Sequence, residues 1–241
     1  MDNQNFNISQ QPGLATQPLA KTFIASVFSW MGIALGISAI TAYVFGTDTS
    51  YMSYLINNET HGLSGLGWVV MLAPLGLVLL MGFGMNRLSS TALTAVFLIY
   101  SVLMGMSLSF IFLAYTASSI YTIFISTAAM FGVMALVGYT TKTDLTKLGS
   151  LLFMALIGII IAGLVNMFLR SSGLSYIISF VAVIVFTGLT AYDVQKLKDI
   201  GTQTEAGTEA TAKMSIMGAL TLYLDFINLF LALLRLFGSR K

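Results

Sequence analysis

The sequence predicts an all-α integral membrane protein of seven transmembrane helices, with the C-terminal helix central in the bundle. Three observations carry that prediction. Of the 241 residues, 57% are hydrophobic and only 8% charged, whereas a soluble domain has about a quarter of its residues charged. The mean hydropathy is +0.89, and stretches free of Asp, Glu, Lys and Arg recur at lengths matching the roughly 20 apolar residues of one bilayer crossing. The last apolar stretch alone carries charge within it, which places it inside the bundle rather than against lipid.

Taken in order, residues 1–21 are polar, contain Pro12 and Pro18, and carry a single basic residue, Lys21. They lack the charged start, short apolar core and small-residue cleavage site of a secretory signal, so they read as a disordered N-terminal tail ahead of a single transmembrane domain at 22–238. The first charge-free window, 22–47, holds Gly32 and Gly36 at GxxxG spacing for close helix packing. The second, 60–86, contains Pro74, which predicts a bend. Window 88–141 is long enough for two crossings, and its Ser101, Gly105 and Ser109 repeat every four residues as a packing stripe. Windows 148–169 and 171–192 supply the fifth and sixth spans, with Asn166 as an interhelical hydrogen-bonding group. The polar connection 194–213, with its GTQTEAGTEAT run, reads as a mobile loop. The seventh apolar stretch, 214–237, would reach about 36 Å as a helix.

Composition also excludes functions. There is no cysteine, hence no disulfide, thiol redox chemistry or thiolate metal site. A lone His61 cannot build a multi-histidine metal centre. The net charge of +2 comes from scattered residues without the basic, aromatic-rich patch that nucleic acid requires. No Walker A pattern is present to power a pump. Lys21, Arg87, Lys142, Lys147, Lys196, Lys198 and Lys213 fall on one side of the first six spans, against Arg170 on the other, so the N-terminus is expected in the cytoplasm. Arg240 and Lys241 leave two possibilities: a full seventh crossing puts them outside, and a re-entrant segment returns them inside.

A carboxylate at the bilayer centre costs at least about 2.5 to 3.5 kcal/mol, so an intramembrane acid marks a pathway or a switch. At 100° per residue, Gly218, Thr221, Asp225, Asn228, Ala232 and Arg235 form one small and polar stripe, opposite Leu222, Phe226, Leu229 and Leu233. Thr221, Asn228 and Arg235 are therefore the pore-lining candidates. Asp193 closes the sixth window and could be no more than a solvated helix-end acid; Arg87 could be a topology anchor. Were Asp193 and Asp225 to approach to about 4 Å, their charges would repel by roughly 4 kcal/mol at an effective dielectric of 20. Such a pair holds one proton in common. Losing that proton, or exchanging the partner for Arg87, lets two helices separate, which makes a pH-driven gate. One or two carboxylates bind calcium weakly and transiently, so calcium is expected as permeant ion and no cofactor is needed. Glu59 and His61, in the loop beside Asp48, read as solvated loop residues.

The strings Leu189-Thr190-Ala191-Tyr192-Asp193-Val194-Gln195-Lys196 and Leu222-Tyr223-Leu224-Asp225-Phe226-Ile227-Asn228-Leu229-Phe230, followed by Leu233-Leu234-Arg235, resemble the signature of the Bax inhibitor-1 family, the transmembrane Bax inhibitor motif proteins. The likeness runs over about 21–237. It implies a seven-helix fold with the last helix central and, for bacterial relatives, a pH-sensitive calcium leak controlled by an aspartate pair. Asp193 and Asp225 match that pair, and Arg87 resembles the arginine that latches the first of them. The loop between the aspartates is longer here, and Val194 stands where Thr is common. The short tails look bacterial, which implies a plasma (inner) membrane location. The partners implied are the lipid bilayer, calcium and protons.

Two other readings compete. Paired intramembrane aspartates superficially resemble aspartyl proteases, but the second site reads Leu222-Tyr223-Leu224-Asp225 rather than GxGD and no PAL motif follows, so the chain is expected not to be an enzyme. Some bacterial relatives act as substrates or modulators of a membrane-anchored protease, for which the tail at 1–20 would be the grip.

Overall fold

The computed structural model describes residues 16–57, 62–205 and 207–241. Its helices are α1 (Thr16–Thr47), α2 (Thr49–Leu55), α3 (Gly65–Gly84), α4 (Ser90–Leu108), α5 (Ile111–Ala114), α6 (Ala117–Thr140), α7 (Thr146–Leu169), α8 (Ser172–Gln203) and α9 (Glu209–Phe237). Among the described residues, seven segments are long and apolar enough to cross a membrane, α4 and α5 together making one from Ser90 to Ala114. Helix starts follow local chemistry. Ser64, Ser89, Thr116, Ser171 and Thr208 each accept a hydrogen bond from the amide three residues on, satisfying donors that lipid could not. In the turn before α7, the Thr146 hydroxyl and amide hold the exposed Asp144 carboxyl below the usual carboxylate range, helped by the charge of Lys147.

The last helix is the centre. Over its most apolar stretch α9 is 72% buried, against 11% for α7, and it packs on α8, α1, α6 and α4. Side chains such as Phe83 and Phe168, 84% and 81% exposed, form the outward apolar surface that meets lipid. Hydrogen bonds from Thr116 N to Ser239 O (3.1 Å) and from Lys241 N to Ala114 O (3.1 Å) tie residues 239–241 to the α5–α6 turn. That turn lies at the end of the bundle opposite the Lys-rich connections, so α9 traverses the whole bundle. The re-entrant alternative falls away.

Several sequence expectations change. α1 is already helical at Thr16, within the stretch assigned to the tail, while residues 1–15 and the loop residues Glu59 and His61 lie outside the described residues. The 194–213 connection is mostly helix: α8 continues to Gln203, because the buried face of Thr190, Asp193, Leu197 and Gly201 keeps helical spacing past the last apolar run. Gly32 and Gly36 are exposed with nothing packed on them. The buried face of α1 instead follows Val27, Met31, Ala34, Ser38 and Ala42, and Gly36 lies about 200° round from Ala34.

The α4 stripe does pack. Ser101 and Ser109 are fully buried, and a side chain at Gly105 would stand 2.6 Å from the Ser38 carbonyl of α1. Asn166 also acts as expected, donating to Ser175 Oγ of α8 at 2.6 Å and accepting from Ser171 N at 3.1 Å. We predict that Gly105→Val lowers detergent-solubilised stability by about 1–3 kcal/mol or more, while Gly32→Val and Gly36→Val stay within about 0.5 kcal/mol. Thermal unfolding monitored by circular dichroism measures both.

Candidate functional site

α8 and α9 run antiparallel, with Leu197 packed over Gly218 and the carboxyls of Asp193 and Asp225 close enough to act on one another as charges and as hydrogen-bonding partners. They are 4% and 5% exposed. Two glycines seat α8 at this level. A side chain at Gly138 of α6 would collide with the Ala191 carbonyl, and one at Gly149 of α7 would collide with the Tyr192 ring. Gln195 adds a polar tie, accepting from Leu145 N and donating to Thr143 O, both at 2.8 Å. Asp193 thus sits level with the α6–α7 turn, inside a continuing helix rather than at a solvated helix end.

The second oxygen of Asp225 is buried without a hydrogen-bond partner. Beside the pair lies a cavity of about 740 Å³, lined by α3, α4, α7, α8 and α9. It exists because α3 packs on α4 and α7 on α8, with no comparable packing between α3 and α7. Thr221, Asn228 and Arg235, the predicted pore-lining residues, all reach this cavity, as do Asp193 and Asp225. Thr221 and Asn228 each donate to the carbonyl four residues back, at 3.1 and 2.8 Å, which keeps their polar atoms partnered without closing the space. Among the described residues, no group of three or more His, Cys, Asp or Glu side chains gathers to hold a metal.

Arg87 is not brought to the pair. It lies exposed in the α3–α4 turn and forms no ion pair among the described residues, where only Lys213 and Glu209 pair, at 3.4 Å. Three residues on, Ser90 N donates to Glu209 at the first turn of α9, roughly 24 Å along the helix from Asp225. The cation that does act on Asp193 is Lys196.

Sequence reasoning missed Tyr100. Its ring lines the cavity and stacks edge-on against Tyr223, centroids 5.4 Å apart, and its hydroxyl is buried without a partner. The signal was present: tyrosines favour membrane interfaces, whereas Tyr100 falls midway along an uncharged span. Tyr223 is satisfied by Ser38 Oγ at 2.7 Å, and that serine also donates to the Ser101 carbonyl at 2.7 Å.

Seven spanning helices, the last of them central and contributing one carboxyl of a buried pair, define a polytopic integral membrane protein. The chain belongs to the Bax inhibitor-1 family: the family described as inhibitor of apoptosis-promoting Bax1 matches residues 20–241. It is 48% identical over 228 residues to inner membrane protein YbhL of Escherichia coli (strain K12), covering 93% of this chain and 95% of that one. It is 47% identical over 219 residues to an uncharacterized protein of Borreliella burgdorferi, covering 91% and 92%. A Rickettsia prowazekii protein, uncharacterized protein RP147, is 42% identical over 224 residues, covering 92% and 91%.

The absence of cysteine makes the cavity testable. A cysteine at Thr221 or Arg235 should react with a water-soluble thiol reagent at least about tenfold faster than one at fully buried Leu229, as thiolate chemistry needs access to water. Equal rates at all three positions would mean that the cavity is dry.

Proposed function

We propose that the protein is a pH-sensitive, calcium-permeable leak of a bacterial inner membrane, its N-terminus in the cytoplasm, gated by Asp193 and Asp225. The observation that carries this reading is the juxtaposition of two buried carboxyls, one from each of the successive helices α8 and α9, beside a cavity edged with polar side chains. While the pair shares a proton it holds α8 against α9. Once that proton leaves, two like charges in a buried pair repel, by roughly 4 kcal/mol for a separation of about 4 Å at an effective dielectric of 20, enough to drive the helices apart and extend the cavity toward the Lys-rich end. Arg87 enters only as a partner of Asp193 in such a rearranged state, since here it belongs to the α3–α4 turn.

Calcium suits this passage because hard cations take oxygen ligands and a site with so few carboxylates releases them readily. The driving force is the gradient alone. In proteoliposomes loaded with a calcium dye, wild-type flux should change across pH 5 to 9, and Asp193→Asn and Asp225→Asn should each flatten that profile. A profile unchanged in both variants would remove the pair from the gate.

A further inference from the structure

A second cavity, about 390 Å³ and apolar, lies on the other face of α9, where Ile227 and Phe230 form its floor. These residues sit roughly 140–200° round the helix from Asp225. The space opens between α1 and α6, which share no substantial packing, and its walls include Ala39, Tyr43, Ile120 and Tyr121. Along α1 it runs from Leu35 to Tyr43, about 12 Å at helical rise, against roughly 15 Å for half of a bilayer's hydrocarbon core. Its one deep hydroxyl, Ser38, is already engaged with Tyr223 and the Ser101 carbonyl, so the interior asks for no polar ligand. Tyr43 and Tyr121 stand 61% and 70% exposed near its mouth, where amphipathic rings suit the headgroup level.

Two cations flank that mouth. Lys241 Nζ donates to the carbonyl of Phe112, a lining residue, at 2.7 Å, leaving two of its three donors. The backbone of Arg240 pairs with that of Tyr115, three residues on from Phe112; the residue is exposed and has no ion-pair partner among the described residues. We propose that this groove is a binding site for an anionic glycerophospholipid. One acyl chain lies between α1 and α6 on the α9 floor, and Arg240 and Lys241 meet the phosphate. The bilayer supplies the chain to any unpacked apolar groove, and the paired cations select the headgroup. The site is independent of the leak and would stand if no calcium flux were found.

The test uses the full chain in detergent, with native mass spectrometry to count retained lipid and thermal unfolding to read its effect. Phosphatidylglycerol and phosphatidylcholine with the same acyl chains are the probes. Wild type should retain phosphatidylglycerol preferentially and unfold at a higher temperature with it. The Arg240→Ala/Lys241→Ala variant should retain it roughly tenfold less, reaching the phosphatidylcholine level, and Ala39→Trp, which fills the groove, should lose both lipids. Equal retention of the two lipids by wild type, a comparison that needs no variant, would overturn the proposal. So would a phosphatidylglycerol preference that survives in the double variant, or an Ala39→Trp protein that changes oligomeric state while keeping its lipid.

Discussion

A carboxylate set midway along an apolar helix, in a medium that cannot solvate it, organises this bundle. At a cost of at least about 2.5 kcal/mol at the bilayer centre, Asp225 is tolerable only where protein covers it, so α9 becomes the axis and the other spans its wrapping. Its polar stripe and its apolar face then have different surroundings. The stripe looks into the cavity between α3 and α7, and the opposite face presents Ile227 and Phe230 to the groove between α1 and α6. One helix therefore separates a space edged by ionisable groups from a space that is almost wholly hydrocarbon.

α9 is not equally held on all sides. Tyr223 fixes it to α1 through Ser38, and Ser38 in turn is bonded to α4 at Ser101. Gly105 brings the α1 and α4 backbones close enough for that link. The contact with α8 is instead apolar packing such as Leu197 over Gly218, with the two carboxyls buried within it. α8 has its own ties, from Gln195 to the α6–α7 turn and from Lys198 Nζ to the Tyr139 carbonyl at 2.9 Å. On the proposed reading, α8 and the α6–α7 end shift together while α9 stays anchored, and an unpartnered oxygen on Asp225 makes that interface the one most sensitive to a single proton.

Much of this was legible in the sequence because membrane constraints are coarse. Charge-free windows located the spans, and a lone aspartate amid leucines marked the central helix with its polar stripe. The failures share a cause. Small-residue spacing indicates where a helix could pack, not which face it uses, so Gly105 met a neighbour and Gly32 met none. The loop expected at 194–213 hid a helix whose outer face turns charged as it leaves the membrane, while Val194, Leu197 and Gly201 keep its inner face buried. Both cavities arise between helices that share no substantial packing, α3 with α7 and α1 with α6, and no local pattern announces a missing contact. Tyr100 was missed because charge gives no warning of it: its one flag, a tyrosine midway along a span rather than at an interface, gains meaning only once its hydroxyl is seen to lack a partner.

The central claim is that Asp193 and Asp225 act as one unit. A double-mutant cycle on stability tests it most directly: unfolding midpoints of the wild type, Asp193→Asn, Asp225→Asn and the double variant, measured in one detergent over a series of pH values. A shared proton predicts a coupling energy of about 0.5–3 kcal/mol that changes with pH. Effects that add to within about 0.3–0.5 kcal/mol at every pH would mean that the two carboxyls are independent, and would contradict the account.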